Sequence, residues 1–92
     1  MRQISQDAAY ALIHGTPFKQ SNTKVEAGVL TLHGNPIAKV ENGKLFISSA
    51  GWETATTKDR LNALPDVSVH QKKGVWYLNN EPWNNSEEWT EV

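Results

Sequence analysis

The sequence predicts a small α+β domain, an antiparallel meander of four to five strands accompanied by two short helices. Three observations predict this class. Short apolar runs have the length and spacing of strands, and dipeptides that favour tight turns separate them. Two other stretches carry helix start and stop residues. The resulting order of helix, strands, helix and strands is typical of α+β proteins and differs from the strand-helix-strand unit of a parallel sheet.

The first helix is predicted to begin at Ser5, a suitable N-cap residue, and to run to about His14. Gly15 favours its termination because glycine adopts the left-handed conformation of a C′ residue at little steric cost. Residues 18–25 after this helix are mostly polar, and they are compatible with an edge strand or with an exposed loop.

The central part of the chain predicts the meander. Apolar and polar residues alternate over residues 29–33, the pair Gly34-Asn35 indicates a turn, and residues 37–40 form the next strand. Asn42-Gly43 is the strongest hairpin indication, because both residues tolerate the positive φ of a type I′ turn. Residues 45–48 complete that hairpin.

The second helix is predicted over residues 57–64. Thr56 and Asp59 are spaced like a capping box in which Asp replaces the usual Glu, and Pro65 ends the helix. A last hairpin begins near Val67, turns at Lys73-Gly74 and returns through residues 75–78.

The composition changes after this hairpin. Residues 1–80 are predicted to form the single α+β domain, and residues 81–92 an acidic, tryptophan-containing C-terminal extension. The extension is either loosely ordered or pinned back by Trp83 and Trp89. We expect at least Trp83 to be pinned, because burying its ring is worth about 2–3 kcal/mol.

Charge is unevenly distributed along the chain. Residues 1–80 hold nine cations and six anions, a net charge of +3, whereas residues 81–92 hold four glutamates and no Lys or Arg. A mildly basic body with an acidic end is compatible with a surface that faces nucleic acid. The alternative is an ordinary solvated surface with a charged terminus, and the small size of the excess favours this alternative.

The sequence offers little reaction chemistry. The chain has no cysteine, and His14, His33 and His70 lie in separate predicted elements, which does not indicate a metal site. A nucleophile elbow and a phosphate-binding glycine pattern are both missing. We therefore expect a protein that is not an enzyme and that has no cofactor, no metal and no small-molecule substrate.

The sequence also lacks the features of a membrane protein. Its start has no apolar segment of a signal peptide, and the longest apolar run, residues 8–13, is far too short to span a membrane. We expect no membrane association and a location in a reducing cytosol.

One constellation of basic and aromatic residues favours partner binding. Lys58 and Arg60 stand near the start of the second helix, and Trp52, His70 and Trp76 are interspersed among the cations. Cations with aromatic rings are what proteins use to bind single-stranded nucleic acid. The predicted partner-binding residues are Lys58, Arg60, Thr56, Trp52, Lys72, Lys73, Lys19 and Lys24. The alternative is that the tryptophans, Trp76 above all, belong to the core and that the lysines solvate the surface.

Lys58 and Arg60 carry the sharpest expectation. Cations near a helix N-terminus oppose the macrodipole by about 0.3–1 kcal/mol each, so stability gives no reason to place them there. We expect their side chains to lie on the binding face, although Arg60 has Asp66 and Glu53 as possible partners. Changing both to Ala would then leave the melting temperature unchanged or slightly higher and weaken partner binding at least tenfold, about 1.4 kcal/mol.

Residues 32–64 resemble a family of short phage-encoded proteins. Their recurring pattern is a hairpin of the HGN-IA kind followed by GW-T-TTK-RLNAL. The matching positions are His33, Gly34, Asn35, Ile37, Ala38, Gly51, Trp52, Thr54, Thr56, Thr57, Lys58, Arg60, Leu61, Asn62, Ala63 and Leu64. The opening MRQISQDAAYALIHGTPF and the acidic tryptophan tail make the chain similar to anti-CRISPR proteins that inhibit type I-F surveillance complexes.

This resemblance implies a non-catalytic inhibitor in the host cytoplasm. It would bind subunits of the host Cas surveillance complex and the guide RNA, and it would block hybridisation with target DNA. The resemblance carries no inhibitor motif at residue level, so the expected binding residues are those of the basic and aromatic constellation. The alternative is a free-standing phage accessory protein that binds single-stranded nucleic acid, which would show a steep salt dependence. A phage enzyme or metalloprotein is a third class.

Overall fold

The computed structural model describes residues 2–92 and has the predicted α+β class. Within those residues it contains two helices and nine short strands. In chain order the elements are α1 (Gln3–His14), β1 (Phe18–Gln20), β2 (Thr23–Glu26), β3 (Val29–Leu32), β4 (Asn35–Glu41), β5 (Lys44–Ile47), α2 (Ala55–Asn62), β6 (Val69–Lys72), β7 (Val75–Leu78), β8 (Glu81–Pro82) and β9 (Thr90–Glu91).

The strands form two antiparallel sheets. The larger sheet has six strands in the order β1-β2-β3-β4-β5-β9, and the smaller has three in the order β6-β7-β8. The strands outnumber the predicted four to five for two reasons. The polar stretch after α1 forms a hairpin at the sheet edge, and residues 81–92 contribute β8 and β9. Edge strands and very short strands lack the alternating apolar pattern that sequence prediction depends on.

Type I′ geometry dominates the turns. Asn42 and Gly43 have φ values of 54° and 76°, which confirms the predicted hairpin. The preceding turn is displaced by one residue from its predicted position. His33 and Gly34 occupy it, with φ values of 53° and 80°, and Asn35 is already the first residue of β4. Histidine is among the residues that tolerate the left-handed region, so His33 and Gly34 can form the turn in place of the predicted Gly34-Asn35.

Helix α1 starts earlier than predicted. It begins at Gln3, and its N-cap residue, Arg2, makes no side-chain capping bond. Ser5 is not the cap; it lies fully buried inside the helix, and its hydroxyl donates to the carboxylate of Asp59. Gly15 ends the helix in the left-handed region with φ 72°, as predicted.

Helix α2 is capped by a different threonine from the one predicted. Thr54 is extended, with φ −115° and ψ 164°, and its hydroxyl accepts a hydrogen bond from the backbone N–H of Thr57 at 3.2 Å. The predicted capping box of Thr56 and Asp59 is therefore wrong. The run of threonines offered several equivalent caps, and only the backbone conformation of Thr54 decides among them.

One core lies between the helices and the larger sheet. Buried aliphatic side chains of α1, α2 and strands β2 to β5 form it, including Leu12, Leu30, Ile37, Ile47 and Leu61. The same cluster continues into the smaller sheet through Trp76 and Trp83, whose ring centroids are 6.4 Å apart.

The C-terminal segment is packed against the rest of the chain. Trp83 is only 4 % exposed, which confirms that it is pinned, and its indole N–H donates to the hydroxyl of Thr90 at 3.0 Å. Strand β9 then pairs with β5 through Phe46–Glu91 and Ile47–Thr90. Trp89 remains 40 % exposed and lies over the Lys39 ammonium at 4.7 Å from its ring centroid.

Candidate binding surfaces

Arg60 is the predicted binding residue whose position differs most from expectation. Its side chain is only 2 % exposed. Its guanidinium donates to the Thr23 hydroxyl at 2.9 Å and the Ser5 hydroxyl at 2.8 Å, with longer contacts of 3.4 Å to Asn22 and to the Asp59 carboxylate. Arg60 thus joins α2 to α1 and to the β1–β2 hairpin. The expectation that its side chain lies on a binding face is wrong, because the side chain is buried, and its contacts argue against the expectation that it is dispensable for the fold.

The electrostatics of Arg60 agree with a structural role. Burial lowers the pKa of its guanidinium, the nearby charge of Arg2 lowers it further, and Asp59 raises it in opposition. A buried cation is tolerated only where hydrogen bonds and a counter-charge replace its hydration. The Ser5 and Thr23 hydroxyls and the partly exposed Asp59 provide both.

Lys58, by contrast, extends from α2 to the face of the smaller sheet that Gln71 and Trp76 share. Its ammonium donates to the side-chain amide of Gln71 at 3.4 Å and lies 5.7 Å from the ring centroid of Trp76. Since Gln71 pairs with Trp76 in the β6–β7 register, Lys58 packs its stem on that hairpin. Trp76 itself is buried, as the core alternative in the sequence predicted.

The outer face of the same hairpin carries a stacked aromatic pair. His70 and Tyr77 are cross-strand partners whose rings lie 5.1 Å apart and 6° from parallel. Lys72 and Val75 are the next pair on that face, because alternate residues of a strand point to the same side. Lys73 follows in the turn, with φ 52°. We call the set His70, Lys72, Lys73 and Tyr77 the basic hairpin; Lys58 contacts the opposite face of the same two strands.

Lys19 and Lys24 lie elsewhere. They face each other across β1 and β2 at the edge of the larger sheet, and the ammonium of Lys24 is 3.5 Å from the Glu26 carboxylate. The eight predicted partner-binding residues therefore do not form one surface. Lys72 and Lys73 belong to the basic hairpin, and Lys58 contacts the opposite face of its strands. Lys19 and Lys24 share a strand edge, and Arg60 is internal.

Trp52 and Thr56 belong to a separate pocket of about 420 Å³. Its floor includes the buried side chains of Leu32 and Ile37, and its rim carries polar groups. We call this site the Trp52 pocket; its lining residues are Leu32, His33, Asn35, Ile37, Ser49, Trp52, Thr54, Thr56 and Thr57. Both stretches singled out in the sequence, around His33 and around Trp52, meet here.

A tight turn holds Trp52 outward. Ala50 and Gly51 have φ values of 55° and 83°, and the backbone N–H of Trp52 donates to the carbonyl of Ser49 at 2.9 Å. The N–H groups of Ala50 and Gly51 donate to the hydroxyls of Ser48 and Ser49 at 2.9 and 3.1 Å. With its backbone bonded in this way, the turn keeps a tryptophan that is 59 % exposed. A left-handed alanine costs about 1–3 kcal/mol, and such strain is concentrated at functional sites.

The C-terminal segment supports the back of this turn. The Ser86 hydroxyl contacts the Ser49 hydroxyl at 2.8 Å and donates to the Glu53 carboxylate at 2.7 Å. The Ser48 hydroxyl donates to the carbonyl of Glu87 at 3.0 Å. Glu53, Glu87 and Glu88 are all exposed, and the Glu53 carboxylate is the one that these hydrogen bonds hold beside the pocket residue Ser49.

Several site residues escaped the sequence reasoning. Tyr77 had a usable indication, since alternation in β7 places it on the opposite face from the buried Trp76. His33 and Asn35 were indicated only as positions of the resemblance motif, and Glu53 had no indication, because only the fold brings the β3–β4 turn and the segment after Trp52 together.

The comparisons with known proteins identify a family. A family model described as Kyanoviridae Gp96 protein matches residues 1–91. The chain belongs to this phage protein family. No curated protein and no solved structure matches the chain. None of the helices in residues 2–92 is long and apolar enough to cross a membrane.

Proposed function

We propose that this Gp96-family protein is a non-catalytic binding protein that acts on a macromolecule of the infected host, in the host cytoplasm. The observation that carries the proposal is Trp52, which lines an apolar pocket and is kept 59 % exposed by a strained turn whose N–H groups at Ala50, Gly51 and Trp52 are hydrogen-bonded. Binding sites typically combine an aromatic anchor, a preformed cavity and a rigid support.

We propose further that the target is a host CRISPR ribonucleoprotein of type I-F, whose hybridisation with target DNA the protein blocks. The support for this target is the sequence resemblance together with two surfaces of different character. The basic hairpin offers lysines beside a stacked His70–Tyr77 pair, which suits guide RNA, and the Trp52 pocket suits a Cas subunit. The family match supports the phage origin alone.

Co-purification with a type I-F surveillance complex tests this target. Tagged protein mixed with the complex is expected to co-elute in size-exclusion chromatography and to abolish binding of target DNA in a gel-shift assay. The double variant Lys72→Gln, Lys73→Asn is expected to weaken the association at least tenfold; Asn at 73 tolerates the left-handed backbone of that position.

Lys19→Gln, Lys24→Gln is the matched control, since it removes the same charge from the other sheet. If the Lys72 and Lys73 variant inhibits like the parent and the Lys19 and Lys24 variant loses inhibition, the strand edge is the contact surface and not the basic hairpin. Absence of any association would overturn the CRISPR target.

A free-standing single-stranded nucleic-acid binder is the second candidate, and the stacked His70–Tyr77 pair is the observation that favours it. It predicts binding of fluorescent oligonucleotides by the protein alone, with an affinity that falls steeply with salt. No binding at low salt would remove this candidate.

A further inference from the structure

The Trp52 pocket differs electrostatically from the basic hairpin. Its lining contains no Lys, Arg, Asp or Glu, so its interior suits an uncharged group. Glu53 directly follows Trp52 in the chain, and its carboxylate is fixed by the Ser86 hydroxyl. Glu87 and Glu88 extend from the same supporting segment. A nucleic-acid backbone approaching this side would meet the Glu53 carboxylate, which contacts Ser86 at 2.7 Å while Ser86 contacts the pocket residue Ser49 at 2.8 Å, a separation inside the Debye length of about 8 Å.

The polar groups on the rim divide into two kinds. The hydroxyls of Ser49 and Thr54 already make hydrogen bonds within the protein. Ser49 bonds to Gly51 and Ser86, and Thr54 bonds to Thr57. Within residues 2–92, the half-buried side chains of Asn35 and Thr56 make no hydrogen bond to the protein. An amide and a hydroxyl are thus available to a partner's backbone at the mouth of an apolar cavity.

We propose that the Trp52 pocket receives one uncharged aliphatic or aromatic side chain from a partner protein, in a segment that carries Lys or Arg beside it. The anchor fills the apolar floor, Asn35 and Thr56 bind the backbone of the segment, and its cations face Glu53 and the Trp52 ring. The size of the cavity, about 420 Å³, is at the small end for ligand pockets and suits one or two side chains. This inference deepens the proposed function, and it rests on that proposal for the existence of a protein partner.

Peptide titration followed by NMR tests the pocket directly. The ¹⁵N-labelled protein has four indole N–H groups, and the signal that the Trp52→Phe variant lacks is assigned to Trp52. The probes are the capped tripeptides Arg-Leu-Arg and Glu-Leu-Glu and the oligonucleotide dT6. Arg-Leu-Arg is expected to shift the Trp52 signal in the millimolar range, at least tenfold more tightly than Glu-Leu-Glu, with weakening by salt.

Two variants sharpen the assignment. Glu53→Gln keeps the acceptor for Ser86 and removes the charge, so it is expected to weaken Arg-Leu-Arg severalfold while the spectrum stays otherwise unchanged. In Trp52→Ala, which lacks the indole reporter, Arg-Leu-Arg is expected to leave the backbone amide signals of the pocket residues Thr54 and Thr57 unshifted, whereas Trp89→Ala, which removes the other exposed tryptophan, leaves their shifts and that of Trp52 intact.

Equal affinity for the basic and acidic tripeptides would overturn the inference. So would the absence of any shift of the Trp52 signal at peptide concentrations up to about 10 mM, on the order of the Kd of the weakest specific complexes. A shift of Trp52 by dT6 instead would assign the pocket to nucleic acid and overturn it as well. Its failure is distinguishable from that of the CRISPR target. If the peptide binds but the protein does not capture the Cas complex, only the CRISPR target is refuted. If the protein captures the complex and Trp52→Ala leaves that capture unchanged, only the role of the Trp52 pocket is refuted.

Discussion

Replacing Arg60 by Met is expected to destabilise the protein strongly. Methionine keeps most of the apolar stem and removes the guanidinium, so the change isolates the polar contacts. Two of these are short, at 2.9 Å to Thr23 and 2.8 Å to Ser5, and they connect three elements of the fold. Hydrogen bonds from charged donors contribute about 1.5–3 kcal/mol each, which gives a gross loss of about 3–6 kcal/mol.

Two effects reduce that loss. The variant no longer desolvates a guanidinium, which recovers part of the free energy. Ser5 also keeps its hydrogen bond to Asp59, and Thr23 keeps its donation to the Asn22 amide at 2.8 Å, so neither hydroxyl is stranded. We expect a net cost of about 3 kcal/mol, a large share of the roughly 5–15 kcal/mol typical of a domain. The melting temperature falls by about 10–20 °C.

Urea unfolding followed by tryptophan fluorescence measures the effect. Lys58→Met is the matched control, since it removes a cation of similar length from the same helix. Lys58 makes one long hydrogen bond, at 3.4 Å, and a distant ring contact, so its loss is expected to cost less than about 1 kcal/mol.

A double-mutant cycle with Ser5→Ala completes the test. Because Ser5 bonds to Arg60 at 2.8 Å, the two changes are expected to couple by at least about 1 kcal/mol. The structural role of the buried Arg60 cation is refuted if the free energy of unfolding of Arg60→Met lies within about 0.5 kcal/mol of the parent value. It is also refuted if the effects of Arg60→Met and Ser5→Ala are additive.

Three other changes have effects that the structure sets. Trp83→Ala empties a site that is 4 % exposed and is expected to cost about 3–5 kcal/mol by urea unfolding, whereas Trp89→Ala, at 40 % exposure, costs less than half as much. The Asn62 side chain accepts from the Val69 N–H at 2.6 Å and donates to the Val69 carbonyl at 2.9 Å. Asn62→Asp removes the donor and is expected to lower the free energy of unfolding by about 2–3 kcal/mol at pH 7. Part of that stability returns near pH 4, where protonation gives the carboxyl a donor again. Gly43→Ala forces alanine to φ 76° and is expected to lower stability by about 1 kcal/mol; no measurable change would contradict the turn assignment.

The sequence predicted those parts of the fold that depend on residues close together in the chain. The Asn42-Gly43 turn and the Gly15 helix end are decided by backbone preferences within a few residues, and both are confirmed. Strand β9 pairs with β5, more than forty residues earlier, and depends on tertiary contacts that leave no periodic pattern in a segment of two residues. The count of strands was therefore too low.

The candidate site was less predictable, and Arg60 shows why. Its neighbours in sequence, Lys58 and Asp59, indicate a solvated helix start, whereas its neighbours in space are Ser5 and Thr23. Arg60 lies two residues after Lys58, and residues two apart on a helix do not share a face. Spacing alone already argued against one binding face for both cations, although it did not indicate which of them points inward.

The uneven charge of the chain acquires a spatial meaning from Ser86. In sequence, the four glutamates of residues 81–92 look like a solvating tail attached to a basic body. Ser86, buried and bonded to both Ser49 and Glu53, instead fixes part of that segment behind the Trp52 turn, while Lys72 and Lys73 occupy a hairpin of the other sheet. Opposite charges that sit on different surfaces can attract different partners, and like charges gathered at one surface exclude partners of the same sign. We therefore expect the acidic segment to affect the specificity of the proposed Trp52 pocket, and the lysines that of the basic hairpin.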